Sequence, residues 1–173
     1  MDLRPAARED AAALATLGAE AFTAAFGHLY KAADLAAFLE EYRTERKYLA
    51  DLSDPGTRVV LAEADGRLLG YSLLVLGHGI DERPLPHPAR PAFLSQLYCA
   101  PDATGRGVGA TLMERAIEEA RDWRADALQL SVYAGNFGAQ RFYARYGFVK
   151  VADIGFWVGN HRDDEFLYEL KLG

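Results

Sequence analysis

The residues of this chain best suited to bind a ligand lie in a glycine-rich turn between an apolar strand and a helix. The turn carries Gly105, Gly107 and Gly109, after a strand that ends at Cys99. Without β-carbons, the backbone N–H groups of such a turn can approach an anion closely. The helix that follows adds unpaired N–H donors and the positive end of its dipole, which favour phosphate. The sequence therefore predicts a site for a pyrophosphate or a similar group.

Two familiar phosphate-binding motifs fit this turn poorly. A nucleoside-triphosphate P-loop needs a lysine and a hydroxyl residue after its last glycine, whereas here Ala110 and Thr111 follow. The glycine spacing formally satisfies the dinucleotide fingerprint, but that motif follows its strand directly and needs an acidic residue at the end of the next strand. Pro101 lies between the strand and the glycines, and the next strand ends at Tyr133. We therefore set the dinucleotide interpretation aside.

A third interpretation is coenzyme A, because the turn resembles motif A of the GNAT N-acetyltransferase superfamily. That motif reads Gln/Arg-x-x-Gly-x-Gly/Ala and falls here on Thr104, Gly107 and Gly109. Thr104 departs from the pattern, since it carries neither an amide nor a guanidinium. The neighbouring Arg106 is the substitute that we expect to reach a phosphate.

A second match to the same superfamily is independent of the first. The motif B spacing Asn-x-x-Ala-x-x-x-Tyr-x-x-x-Gly-Phe falls without gaps on Asn136, Ala139, Tyr143, Gly147 and Phe148. Two motifs in the right order, each joining a strand to a helix, make the resemblance specific. It extends over most of the chain, although residues 93–148 carry the motifs.

The resemblance implies how acetyl-CoA would be held. In GNAT proteins, main-chain groups of the motif A strand pair with the pantetheine amides, as an added strand would. Asn136 would cap its helix and also contact the cofactor arm. The expected cofactor-binding residues are Leu97, Tyr98, Cys99, Thr104, Gly105, Arg106, Gly107, Val108, Gly109, Ala110, Asn136 and Tyr143.

The resemblance also assigns a catalytic role to Tyr143. A phenol with a pKa near 10 stays protonated at neutral pH and can donate its proton to a departing thiolate. The alternative is an aromatic side chain that only packs in the core, as Phe142 and Tyr146 of the same helix can do.

The general base is open. The glutamate that some GNAT members carry on the motif A strand aligns with Phe93, which cannot accept a proton. Ser95 and Gln96 could position a water molecule instead. Carboxylates for the same role are available at Asp163, Asp164 and Glu165, each of which could equally be a solvated surface charge.

Composition limits the function classes. With 173 residues, half of them apolar, the chain is long enough for one buried domain, which we expect to span residues 1–173. We expect neither membrane insertion nor secretion, because there is no long apolar run and no basic leader. The single cysteine suits a cytoplasmic protein without disulfides, and the net charge of −6 argues against nucleic-acid binding. No pair among the four histidines has metal-ligand spacing, so no metal is predicted.

The predicted elements alternate between strands and helices. Asp34 is the expected cap of the second helix, and an Asp-Gly pair at residues 65–66 predicts a hairpin. The predicted strands are 2–6, 58–63, 68–76, 92–99, 128–133 and 166–172, and the predicted helices are 10–25, 34–44, 108–122 and 137–146. This order fits the GNAT acyl-CoA N-acyltransferase fold, an α/β (α+β) fold whose mixed, mostly antiparallel sheet is splayed beside motif A and flanked by helices.

The acceptor is predicted only by class. The leading hypothesis is acetyl transfer from acetyl-CoA to a primary amine of a small molecule, by direct attack in a ternary complex. Loose similarity of residues 25–30 and 156–159 to polyamine acetyltransferases adds a polyamine-like amine as one option. The alternatives are a non-catalytic acyl-CoA sensor and an acetyltransferase for protein N-termini or lysines. The proline-rich segment 77–91 is either a semi-rigid wall of the acceptor site or an inert linker, and a homodimer is compatible with the superfamily.

Overall fold

Seven strands form one mixed sheet in the computed structural model, which describes residues 1–173. The strands are β1 (Asp2–Pro5), β2 (Thr57–Ala64), β3 (Arg67–Leu76), β4 (Pro91–Cys99), β5 (Ala127–Tyr133), β6 (Val149–Val158) and β7 (His161–Lys171). Their order across the sheet is β1-β2-β3-β4-β5-β7-β6. Every neighbouring pair is antiparallel except β4 and β5, which are parallel. The predicted fold class, a mixed and mostly antiparallel sheet flanked by helices, is confirmed.

Five α-helices cover the sheet. They are α1 (Ala11–Phe26), α2 (Ala32–Tyr42), α3 (Glu45–Ser53), α4 (Val108–Asp122) and α5 (Phe137–Arg145). The best-predicted helix is α4, whose bounds match the expectation of 108–122. It buries its apolar stripe, including Leu112 and Ile117, and exposes its acidic face, including Glu114 and Glu118. None of the helices combines the length and apolar character that crossing a membrane requires.

Three elements differ from the prediction. Asp34 lies inside the first turn of α2 instead of capping it, and its carboxylate accepts a hydrogen bond from the backbone N–H of Asn160 at 2.9 Å. The helix α3 was not predicted; its cap is Thr44, whose hydroxyl oxygen accepts from the N–H of Lys47. The strand β6 was also missed, because it is an edge strand with Asp153 and Gly155 in its middle and no continuous apolar pattern.

The sheet opens between β4 and β5, and this opening creates the site. The two strands pair only as far as Phe93 and Gln129. Beyond that point Ser95 forms a β-bulge in β4, since Leu73 and Leu74 pair with Gln96 and Leu94 respectively. The last residues of β4 therefore pair with β3 on one side and leave the side toward β5 without a strand partner.

Candidate active site

A cavity of about 1050 Å³ occupies the opening between β4 and β5. One wall is the end of β4 and the opposite wall is the end of β5 with the start of α5. The far end is lined by aromatic side chains of α1, α2 and β6. The volume is at the upper end of the range for ligand sites, so both substrates of a group transfer can be accommodated. The predicted site residues that line it are Leu97, Tyr98, Cys99, Thr104, Asn136 and Tyr143.

The glycine turn adopts the conformation that its sequence predicts. Gly105 and Gly107 have φ angles of +75° and +81°, in the left-handed region that glycine favours. A β-carbon at either residue would meet no atom within 4 Å, so the space in front of the turn is open. Gly107 is the N-cap of α4, and Val108 is the first helical residue. The turn therefore presents the free N–H groups of a helix start to an open space.

The other residues of the turn either belong to α4 or are exposed to solvent. Gly109 belongs to the first turn of α4, where a β-carbon would make ordinary contacts with the Cys99 Sγ at 3.7 Å and with Phe142. Thr104 is exposed and its hydroxyl donates to the carbonyl of Pro101. Arg106 is exposed as well. Positive φ thus explains two of the three glycines, whereas neither positive φ nor a close contact within the protein requires a glycine at residue 109.

Tyr143 lines the cavity on the α5 side, with its ring packed among Phe142, Phe148 and Tyr168. Burial raises the pKa of its hydroxyl well above the usual value, and the nearby Tyr98, Glu165 and Cys99 raise it further. The phenol therefore stays protonated at neutral pH, as an acid must before it donates.

Asn136 caps α5, as predicted. Its side-chain oxygen accepts from the N–H of Ala139 at 3.1 Å. Because Asn136 also lines the cavity, its side-chain amide NH₂ group remains available for a ligand.

The three candidate carboxylates have different surroundings. Asp163 is buried, and both its oxygens have partners, the Tyr30 hydroxyl and the His161 Nε2. Asp164 is exposed and pairs with Arg162. Glu165 lines the cavity. Burial raises its pKa to about 7, the Ser131 side chain lowers it in part, and the charge of Asp163 raises it. Glu165 is therefore the carboxylate that can exchange a proton near neutral pH at this site.

The polar residues of β4 take roles that the sequence did not reveal. The Gln96 side-chain oxygen accepts hydrogen bonds from the hydroxyls of both Tyr48 and Tyr71, at 2.8 and 2.6 Å. Ser95 lines the cavity at the bulge. Burial raises the pKa of the Cys99 thiol, while the N–H of Gly109 lowers it in part, so the thiol is protonated and is a poor nucleophile.

The segment between β3 and β4 does not line the cavity. The Arg83 guanidinium binds both carboxylate oxygens of Glu169 at 2.9 and 3.0 Å, and the N–H of Ile80 donates to Gln129. Gln129 lies where β4 and β5 still pair, whereas the cavity lies beyond the point where they separate. The expectation that residues 77–91 form a wall of the acceptor site is wrong, because this ion pair holds the segment against the opposite end of the sheet.

Arg43 is the residue of the site that sequence reasoning missed. It follows α2 and lines the cavity among aromatic side chains. A lone arginine between two helices has no motif around it, so only the three-dimensional arrangement reveals it. Nowhere does the chain gather three or more His, Cys, Asp or Glu side chains in a group that could hold a metal ion. The absence of a metal from the function stays a prediction.

Comparisons with known proteins agree with this architecture. The model of the acetyltransferase (GNAT) family matches residues 20–148. An uncharacterized N-acetyltransferase of Mycobacterium tuberculosis is 32% identical over 163 residues, which cover 94% of this chain and 98% of that protein. The PaiA N-acetyltransferase of Thermoplasma acidophilum, solved with coenzyme A, has a TM-score of 0.77 at 21% identity, covering 99% of this chain and 98% of that one. A ribosomal-protein-alanine N-acetyltransferase of Brucella melitensis has a TM-score of 0.73 at 23% identity, covering 99% and 100%.

The two structural neighbours have the same fold as this chain over nearly its whole length. The family match covers more than half of the residues, and the mycobacterial relative is aligned over nearly its whole length. The chain belongs to the acetyltransferase (GNAT) family, whose members are N-acetyltransferases.

Proposed function

We propose that this protein transfers the acetyl group of acetyl-CoA to a primary amine of a small molecule, with residues 1–173 acting as one GNAT domain. The observation that carries the proposal is the cavity at the sheet opening, where Tyr143 and Glu165 line the same space beside the glycine turn. A proton donor and a proton acceptor in one cavity are what acyl transfer to an amine requires.

The residues present fit acetyl-CoA. The open space in front of Gly105 and Gly107 leaves their backbone accessible to a diphosphate, and the start of α4 provides N–H donors. Arg106, exposed in the same turn, adds a positive charge. The unpaired side of β4 at Leu97, Tyr98 and Cys99 supplies main-chain groups for the amides of the pantetheine arm. The PaiA protein, which has the same fold, was solved with coenzyme A.

Bound acetyl-CoA would supply an acetyl group activated as a thioester. The chain's own residues then manage two protons. The Glu165 carboxylate accepts the proton that the acceptor amine must lose before it can attack. The Tyr143 hydroxyl donates its proton to the sulfur that departs. Neither side chain becomes covalently bonded to the acetyl group in this scheme, because the amine attacks the thioester directly.

We assign the acceptor to one end of the cavity by elimination. The β4 and α4 side is required for the cofactor, so the acceptor occupies the end lined by α1, α2 and β6, where Phe22, Phe38 and Phe156 lie. Aromatic walls suit an amine with an apolar body. A cytoplasmic location and a homodimer remain predictions from the sequence.

A protein N-terminus is the second candidate acceptor. Residues 77–91 do not line the cavity, so they do not obstruct an extended peptide. The Brucella neighbour of the same fold is a ribosomal-protein-alanine N-acetyltransferase. The small amine stays first because the acceptor end is lined by aromatic side chains from three elements, which suit a compact amine with an apolar body.

The test is release of free thiol from acetyl-CoA against a panel of amines and N-terminal peptides, with calorimetry of acetyl-CoA alone. Transfer to small amines is the expected result. Cofactor binding without thiol release for any acceptor would identify an acyl-CoA sensor instead, and faster transfer to peptides would identify the second candidate. No binding at millimolar acetyl-CoA would overturn the proposal.

The Tyr143→Phe substitution tests the acid. It removes only the hydroxyl, so we expect turnover to fall by about 100-fold, the lower end for general acids, because a thiolate is a stable leaving group. Acetyl-CoA affinity, measured by calorimetry, should change little. Unchanged turnover would assign Tyr143 to packing alone.

A further inference from the structure

Arg43 carries a charge that no carboxylate of the protein neutralises. Its Nη2 donates to the Tyr98 hydroxyl at 3.0 Å and its Nη1 to the carbonyl of Tyr42 at 3.1 Å. Its Nε is shielded from solvent and has no hydrogen-bond partner. The chain's salt bridges all join other residues. A partly buried cation without a counter-ion is costly, so its retention in a cavity points to a ligand that supplies the missing charge.

The surroundings of Arg43 hold the guanidinium in place but do not neutralise it. Its Cζ lies 5.0 Å from the Phe38 ring centroid, 5.5 Å from that of Tyr98 and 5.7 Å from that of Phe22. Cation–π contacts of this kind attract the guanidinium but bring no negative charge to it. The rings therefore keep the guanidinium oriented, with N–H donors left over for a planar anion.

The other charges of the cavity leave a simple pattern. Lys47 and Asp51 also line it, but they pair with each other at 2.7 Å and cancel. What remains is the positive charge of Arg43 and the carboxyl of Glu165. One cation and one proton-accepting carboxyl match a molecule that bears both an anionic group and an amine.

We propose that the acceptor is an amine that also carries a carboxylate, an amino acid or a compound of that type, and that Arg43 binds this carboxylate. This inference rests on the proposed acetyltransferase function. The guanidinium fork binds a carboxylate through two hydrogen bonds, and the aromatic walls contact the apolar body of the acceptor. A polyamine is disfavoured, because its additional positive charges would face Arg43.

The test compares each carboxylate with its own amide. The acceptors are phenylalanine, β-alanine, 4-aminobutyrate and 6-aminohexanoate, each with its carboxamide, together with phenethylamine and spermidine. For at least one spacing between amine and carboxylate, we expect kcat/KM for the acid to exceed that for the amide by about tenfold or more, the scale of a charged hydrogen-bond pair. The Arg43→Met variant should lose this preference while its KM for acetyl-CoA stays unchanged.

The acid-to-amide ratio separates recognition from stability. A partly unfolded variant loses activity on both acceptors equally, and differences in amine basicity cancel when one pair is compared between variants. If Arg43→Met does not fold, Arg43→Lys keeps the charge without the planar fork and should lose part of the preference. The Tyr98→Phe variant, which releases one Nη2 hydrogen bond, should lose less.

Three results would contradict the inference. The first is that acids are acetylated no faster than their amides at every spacing, the second is that spermidine or phenethylamine is preferred, and the third is that the acid preference survives in Arg43→Met. In each case transfer to amines without a carboxylate would leave the proposed function standing. Failure of every amine, with or without a carboxylate, would overturn both proposals.

Discussion

In the proposed function, the two ends of the cavity recognise their ligands in different ways. The cofactor end consists mainly of main chain, with Gly105, Gly107 and the free side of β4 within one contiguous stretch of sequence. The acceptor end consists of side chains, among them Arg43 after α2 and Glu165 on β7, which are far apart in the sequence. Main-chain recognition tolerates changes of side chain, whereas side-chain recognition changes with single substitutions. The cofactor end can therefore stay constant across a family while the acceptor end varies.

The largest expected effect is at the acceptor end, from Glu165→Gln. The amide keeps the shape of the side chain but cannot accept the proton of the amine, so kcat/KM should fall by about 100-fold or more. Because burial raises the pKa of Glu165 to about 7, the wild-type rate should increase with pH through about 7 and then level off. The variant should lack this increase. The measurement is a pH profile of kcat/KM with a saturating concentration of acetyl-CoA.

Ser131→Ala is the matched comparison for this prediction. The Ser131 side chain lowers the pKa of Glu165, so its removal should move the midpoint of the rate increase to higher pH while leaving the plateau in place. A wild-type profile identical to that of Glu165→Gln would show that the base lies elsewhere.

The second expected effect is at the cofactor end, from Gly107→Val. Gly107 has a φ of +81°, where a β-branched residue is strained by about 1–2 kcal/mol or more, so the turn should shift away from its present shape. We expect acetyl-CoA to bind about tenfold more weakly, since 1.4 kcal/mol corresponds to that factor. The acid-to-amide preference should not change, because Arg43 lies at the other end of the cavity. Calorimetry with acetyl-CoA measures the first quantity and acceptor kinetics the second.

The control for this variant is Gly66→Val. Gly66 also has a positive φ, +71°, with open space around it, but it lies in the β2–β3 hairpin. Both substitutions should lower stability by similar amounts, and only Gly107→Val should weaken acetyl-CoA binding. Equal weakening by both would mean that general destabilisation, not the shape of the turn, governs the affinity.

The same contrast explains what the sequence could predict. Gly107 as a helix start, Asn136 as a cap and the Asp65-Gly66 hairpin depend on neighbours in the chain, so local patterns revealed them. Asp34 was misassigned as a cap because its carboxylate has a distant partner, the backbone of Asn160. Local propensity cannot anticipate a hydrogen bond across 126 positions of sequence.

The acceptor end required tertiary structure for the same reason. Only the fold shows that Arg43 has no counter-ion and that three aromatic rings from separate elements surround it. Glu165 was one of three equivalent carboxylates in the sequence, and only the fold shows that it lines the cavity with a raised pKa. The placement of the segment after β3 depends on one ion pair, Arg83 with Glu169, whose partners are 86 positions apart.

The smallest kinetic effect is expected from Arg83→Met, which tests whether residues 77–91 are remote from both ends of the cavity. The variant removes the ion pair and leaves Glu169 with the Gln129 amide as its partner. Burial raises the pKa of Glu169, but Arg83 and Gln129 lower it more, so the net pKa is lowered. A lowered pKa stabilises the fold above the unfolded-state value of 4.5, and this stabilisation is lost as the pH falls through the folded-state pKa. The variant should therefore unfold more easily by about 1–3 kcal/mol at pH 7, with a smaller difference in acid. Denaturant titrations at pH 7 and pH 4 measure both values.

The KM values for acetyl-CoA and acceptor should stay within about twofold of wild type, since surface changes away from a site have small effects. A marked rise of the acceptor KM alone would show that residues 77–91 reach the acceptor during turnover. These residues would then be a third recognition element beside the two ends of the cavity.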